Sequence, residues 1–123
     1  MHALVVDDSK TIRVILTAYL QKLGFDVTVA VNGREALDRL HAMAKADVVL
    51  VDWNMPEMDG ISFVRAVRSN DEYAALPLMM VTTNVELSNV AEALDAGANE
   101  YIMKPFTMDI LRAKLELLGF QAA

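Results

Sequence analysis

The chain has 123 residues, 54% of them hydrophobic, no cysteine and a formal net charge of −6. That length suits one domain with a substantial core. Disulfides, zinc–thiolate sites and thiol catalysis are excluded, and the acidic balance argues against a nucleic-acid partner, which calls for a basic surface. No apolar run approaches the ~18 residues of a membrane span. His2 runs straight into Ala3-Leu-Val-Val6 without the regions of a signal peptide, so a cytoplasmic protein with no membrane partner is expected.

Residues 3–6 form a short apolar strand that ends at Asp7-Asp8-Ser9. Ile12, Ile15, Leu16, Tyr19, Leu20 and Leu23 then recur at helical spacing, with Gly24 where a helix-ending glycine belongs. Residues 25–31 alternate enough to predict a second strand near a sheet edge, and Asn32-Gly33 reads as a turn. Ala36, Leu37, Leu40 and Met43 or Ala44 give the apolar face of a second helix. Residues 47–51 predict the central strand, and the unbroken apolar run of residues 48–51 leading into Asp52 is the pattern of a strand buried on both faces.

Ile61, Val64 and Val67 mark a third helix, followed by a polar loop over residues 69–73. Residues 77–81 predict a fourth strand, with Pro77 at its entry where no ladder hydrogen bond is lost. Leu87, Val90, Ala91 and Leu94 give the face of a fourth helix that Gly97 stops. Residues 100–103 form a short fifth strand, and Thr107 caps a last helix carrying Ile110, Leu111, Leu115 and Leu118. Strand and helix thus alternate five times, which implies an α/β fold with a parallel sheet covered on both sides.

The polar residues gather after the strands. Asp7 and Asp8 follow the first, Asp52 the third, Thr82-Thr83 the fourth and Lys104 the fifth. In a parallel sheet these ends share one edge, where open α/β sheets place their sites. Three converging carboxylates repel and call for a cation. Oxygen ligands without His or Cys suit a hard ion, with Mg²⁺ the first choice. Asp52 could then act as a nucleophile toward phosphorus, assisted by Lys104 and a threonine hydroxyl. Singly, each residue has an ordinary structural reading: Asp8 or Ser9 as a helix cap, Thr82 as a turn residue, Lys104 as a surface charge. Lys10, Arg13 and Lys22 fit a solvated helix face. The eight methionines fit core filling, Met79, Met80 and Met103 within strands, and His2 and His41 fit the surface.

Val5-Val6-Asp7-Asp8-Ser9, Val51-Asp52-Trp-Asn-Met-Pro-Glu-Met-Asp-Gly60, Val81-Thr82 and Lys104-Pro105-Phe106 together resemble the bacterial two-component response-regulator receiver domain. The resemblance spans the chain and is strongest to the stand-alone, CheY-like chemotaxis type. It implies a flavodoxin-like doubly wound (βα)5 sandwich with a five-stranded parallel sheet in the order 2-1-3-4-5. It also implies a single receiver domain over residues 1–123 with no output domain.

By that resemblance Asp52 accepts a phosphoryl group from a CheA-like sensor histidine kinase. Asp7, Asp8, Asp52 and the backbone carbonyl of Asn54 hold Mg²⁺, and Lys104 binds the phosphoryl group through a loop with a cis bond to Pro105. Thr82 and Tyr101 form the switch, although Tyr101 alone would pass for a half-buried aromatic on an edge strand. Asn54, Thr83 and Asn84 tune dephosphorylation, Thr83 being bulkier than the small residue usual there. Switching alters a surface made by the fourth helix, fifth strand and fifth helix, beside Glu92, Asp95, Glu100 and Tyr101, and the kinase approaches near Ser9, Lys10 and Arg13. The target is a downstream protein such as a flagellar motor switch component, with a phosphate-sink role also open. The expected state is a monomer, or a weak dimer through the switch surface.

Three other readings compete with this one. A haloacid-dehalogenase-type phosphatase also combines an Asp nucleophile, Mg²⁺, Thr and Lys. It needs a second acid two residues after the nucleophile, where this chain has Asn54, and a substrate cap. A flavodoxin-like electron carrier needs a hydroxyl- and glycine-rich phosphate loop after the first strand, where this chain has two acids. A degenerate receiver acting by contact alone would not need the complete acid, Thr and Lys set.

Overall fold

The computed structural model describes residues 1–53, 55, 58–83 and 87–121, with residues 87–89 described by their backbone alone. Its elements are β1 (His2–Val6), α1 (Lys10–Lys22), β2 (Asp26–Ala30), α2 (Gly33–Ala42), β3 (Val48–Asp52), α3 (Gly60–Arg68), a 3-10 turn (Asp71–Tyr73), β4 (Leu78–Thr82), α4 (Leu87–Ala96), β5 (Glu100–Met103) and α5 (Met108–Leu117). The five strands are parallel in the order β2-β1-β3-β4-β5. This is the flavodoxin-like arrangement implied by the resemblance, with β2 at an edge as its alternation predicts.

Strand alternation sorts the core into two layers. Leu4, Val6, Val49, Val51, Leu78 and Met80 face α2, α3 and α4, meeting Ala36, Leu40, Phe63, Val64, Ala93 and Ala96. Ala3, Val5, Val48, Leu50, Met79, Val81 and Ile102 face α1 and α5, meeting Leu16, Leu20, Leu111 and Leu115. β3 and β4 are buried at every residue because both faces are covered, which is why residues 48–51 form an unbroken apolar run.

The helix starts follow local chemistry. Ser9, Asp59 and Thr107 cap α1, α3 and α5, each side-chain oxygen accepting from the N–H three residues on. Gly24, Gly97 and Gly119 all have positive φ just past helix ends.

Several expectations need correcting. Asn32-Gly33 is not a free-standing turn: Asn32 caps α2, accepting from the N–H of Glu35 at 2.8 Å, and Gly33 is the first helical residue. β3 runs one residue later than expected, over Val48–Asp52, with Asp47 just before it accepting from the N–H of His2 at 2.7 Å through its carboxylate. Among the described side chains of α4, Ala93 and Ala96 are buried and Val90 is half-buried, whereas Leu94 is 47% exposed and Ala91 is exposed; the Leu87 side chain lies outside the described residues. On α5 Ile110 faces outward. Met79 and Met80 are fully buried, but Met103 is 48% exposed on the edge strand. His2 is half-buried, its Nε2 2.6 Å from Oγ1 of Thr28, whereas His41 is exposed as expected and stacks on Tyr73.

Candidate functional site

The carboxyl ends of β1 and β3 deliver the acids. Asp7 follows β1 directly and its N–H donates to the carbonyl of Ala30 on β2, which continues the ladder one step past the strand. Its side chain is almost wholly buried, with Oδ1 accepting from the N–H of Ser9 at 2.8 Å and Oδ2 from Nζ of Lys104 at 3.1 Å. Asp8, next along, is exposed. Asp52 closes β3 and is 7% exposed. Oxygens from the carboxylates of Asp7, Asp8 and Asp52 lie within 4.8 Å of one another.

Lys104 answers this cluster from 97 residues away in sequence. Its N–H donates to the carbonyl of Thr82 at 2.8 Å, which extends the β4–β5 ladder beyond β5. Its ammonium lies 3.1 Å from Asp7 and 3.3 Å from Oδ1 of Asp52, and the side chain is 15% exposed. The Lys104–Pro105 peptide bond is cis. One ammonium against three carboxylates leaves a net excess of negative charge. A set of carboxylate oxygens with one exposed member suits a small hard cation such as Mg²⁺.

Gly60 brings the loop after β3 back onto this edge. Its N–H donates to the carbonyl of Trp53 at 3.0 Å. A Cβ there would run into the carbonyl of Asp52 and come within 2.8 Å of Cε of Met80, so only glycine allows α3 to start against the end of β3. Trp53 is half-buried beside the same layer as Met80.

Thr82 ends β4 and is 1% exposed. The register pairs Thr82 with Met103 and Met80 with Tyr101, so Thr82 and Tyr101 occupy the same face of adjacent strands, diagonally offset. Thr83 is exposed. Asn54 and Asn84 lie outside the described residues.

One residue of the site has a contact that its place near the active edge does not reveal. Arg13 on α1 donates from Nη1 to the carbonyl of Asp7 at 2.7 Å, so it holds the backbone of the acid-bearing loop instead of simply coating a helix face. Its partner is a main-chain oxygen, which side-chain patterns do not reveal.

Acids and a lysine thus converge on the carboxyl edge of a flavodoxin-like parallel sheet, the arrangement of a receiver domain. The chain belongs to the response regulator receiver domain family, whose model matches residues 3–116. It is 46% identical over 119 residues to chemotaxis protein CheY1 of Helicobacter pylori, covering 96% of each chain. It is 47% identical over 117 residues to a chemotaxis protein CheY homolog of Campylobacter jejuni, covering 94% of this chain and 90% of that protein. Among solved structures, chemotaxis protein CheY4 of Vibrio cholerae superposes with a TM-score of 0.90 at 38% identity, over 95% of this chain and 97% of that one. Membership makes this a phospho-accepting signalling domain, with a histidine kinase as phosphodonor and a downstream target. No described helix is long and apolar enough to cross a membrane.

Proposed function

We propose that Asp52 is the phosphoryl acceptor of a chemotaxis-type receiver switch that acts by binding a target protein. The observation that carries this reading is the Lys104 ammonium shared between Asp7 and Asp52 beside the exposed Asp8. A carboxylate oxygen of Asp52 forms the new bond to phosphorus. The phosphorus–nitrogen bond of the kinase phosphohistidine breaks, and its electron pair stays with the imidazole. The Lys104 ammonium is close enough to Asp52 to follow the charge on the phosphoryl oxygens, and the Thr82 hydroxyl offers a further donor. Asp7 acts mainly as a fixed anchor, since its two oxygens already hold Ser9 and Lys104.

Asp8, Asp52 and the backbone carbonyl of Asn54 would bind Mg²⁺ directly, with Asp7 beside them. The ion supplies charge that offsets both the acids and the incoming phosphoryl group. Neither Asn54 nor Asn84 is a general base and Thr83 adds bulk at the site, so self-dephosphorylation is slow to moderate.

Phosphorylation turns the singly charged Asp52 carboxylate into an acyl phosphate carrying about two negative charges. Thr82 moves toward them and Tyr101 turns into the space it leaves, which shifts a two-state equilibrium. Their shared face on adjacent strands supports this coupling. The surface that changes is α4–β5–α5, where Leu94, Met103 and Ile110 are 47%, 48% and 45% exposed. Apolar side chains spread over three adjoining elements favour a protein target, such as a flagellar motor switch component. The phosphodonor is a CheA-like kinase, Ser9, Lys10 and Arg13 face its approach, and the exchange takes place in the cytoplasm.

The test is acetyl phosphate added to Mg²⁺-loaded protein, with Trp53 fluorescence and intact mass followed together. A reversible fluorescence change with a gain of one phosphoryl mass is expected in the wild type and in neither readout for Asp52→Asn. Equal phosphorylation of both proteins would remove Asp52 as the acceptor.

A further inference from the structure

β5 is an edge strand, so its outer backbone groups have no neighbouring strand to pair with. Glu100, its first residue, folds its carboxylate back along that edge. Oε1 accepts from the N–H of Tyr101 at 3.0 Å and from Nζ of Lys114 at 3.1 Å. Lys114 belongs to α5, whose buried residues lie in the layer opposite the one Tyr101 packs against. The lysine therefore crosses the open edge of the sheet, and its ammonium comes to rest 4.3 Å from the centroid of the Tyr101 ring. The side chains of Lys114 and Glu100 are only 23% and 18% exposed, so solvent screens the pair poorly.

We infer that the Glu100–Lys114 pair is a latch on Tyr101, holding the ring in its position without a phosphoryl group and so setting how readily the domain switches. The inference rests on the reading of Tyr101 as the moving aromatic. The negative face of the ring attracts the ammonium. Glu100 is tied to the β5 backbone and keeps that ammonium in place when the ring turns, so the contact exists in one state only. A contact made in one of two states shifts the equilibrium by its full differential strength. For a cation over an aromatic ring at a partly exposed site that is about 2- to 5-fold. Reciprocity weakens phosphoryl-group binding by the same factor.

Fluorotyrosine labelling tests the latch, because the chain has 3 tyrosines and ¹⁹F NMR can follow Tyr19, Tyr73 and Tyr101 separately. Wild type, Lys114→Met, Glu100→Gln and the double variant are titrated with beryllium fluoride in the presence of Mg²⁺. In Lys114→Met without ligand, the Tyr101 resonance is expected to move toward its ligand-bound position while Tyr19 and Tyr73 stay put. The half-saturating beryllium fluoride concentration is expected to fall about 2- to 5-fold. Glu100→Gln acts in the same direction, and the double variant adds nothing to Lys114→Met because the two residues act as one unit. An unmoved Tyr101 resonance and unchanged half-saturation in Lys114→Met overturn the latch and leave the switch standing. A wild type whose Tyr101 resonance ignores bound beryllium fluoride overturns the switch role of Tyr101, and the latch with it.

Discussion

The ammonium of Lys104 lies 3.3 Å from Oδ1 of Asp52, although 52 residues separate them in sequence. Asp7 shares the same ammonium at 3.1 Å and is itself almost wholly buried. Lys104 is thus both a structural counter-ion for two acids and the cation nearest the proposed acceptor. Replacing it with Met leaves those carboxylates together without their cation. Removing one partner of a buried ion pair costs about 3–5 kcal/mol, and the residual exposure of this pair brings the expected loss to roughly 1–3 kcal/mol. Urea unfolding without divalent ions measures that loss, and acetyl phosphate labelling should fail in the same variant.

Asp8 should show the opposite balance of stability against function. It is exposed, yet its carboxylate stands within 4.8 Å of oxygens of Asp7 and Asp52. Two like charges at such a separation repel by about 1 kcal/mol in a water-like medium. Asp8→Asn is therefore expected to raise stability by roughly that amount in metal-free buffer while weakening Mg²⁺ binding. Thermal unfolding with and without Mg²⁺, beside a Trp53 fluorescence titration, separates the two effects; a variant that loses stability without metal would contradict the repulsion argument.

Gly60→Ala tests how closely α3 must start against β3. The added methyl meets the Asp52 carbonyl and Cε of Met80, and the carbonyl cannot retreat without disturbing the end of the central strand. Forcing one methyl group into such a site costs about 1–3 kcal/mol. A lowered urea midpoint with an unchanged slope is the expected result.

Arg68, the last residue of α3, ties three segments together at the opposite end of that helix from the acids. Its guanidinium donates to the carbonyl of Gly97 at 3.0 Å, the carbonyl of Tyr73 at 2.7 Å and Oδ1 of Asn99 at 2.8 Å. Asn99 in turn accepts from the N–H of Leu78 at 2.9 Å, at the entrance to β4. Arg68→Gln should cost about 1.5–3 kcal/mol, the range for hydrogen bonds to a charged group. Amide exchange at Leu78 and Asn99 should quicken more than at the core of β3, since the damage is local.

Much of this molecule follows from short-range signals. The unbroken apolar run at residues 48–51 marks a doubly covered strand, and Asp52 is its last residue. Ser9 and Thr107 cap helices, and Gly24, Gly97 and Gly119 follow helix ends, because caps and left-handed glycines are satisfied within a few residues. The alternation of strand and helix places Asp7, Asp52, Thr82 and Lys104 at one edge of the sheet, since parallel strands all end on the same side.

Tertiary structure decided what depends on partners distant in sequence. Periodicity found α4 but misplaced part of its face: Ala93 and Ala96 face the core, while Ala91 and Leu94 face solvent, because small residues let the helix lie close to the sheet and hydrophobicity alone favours the leucine. Arg13 sits on the Asp7 carbonyl, a main-chain acceptor invisible to side-chain patterns. Glu100, Tyr101 and Lys114 meet only because the edge of β5 lies open and α5 packs close enough for a lysine to reach round it. Local sequence determines which elements form and which polar groups end them, whereas the meeting of side chains across the sheet is set by the packing of both layers at once.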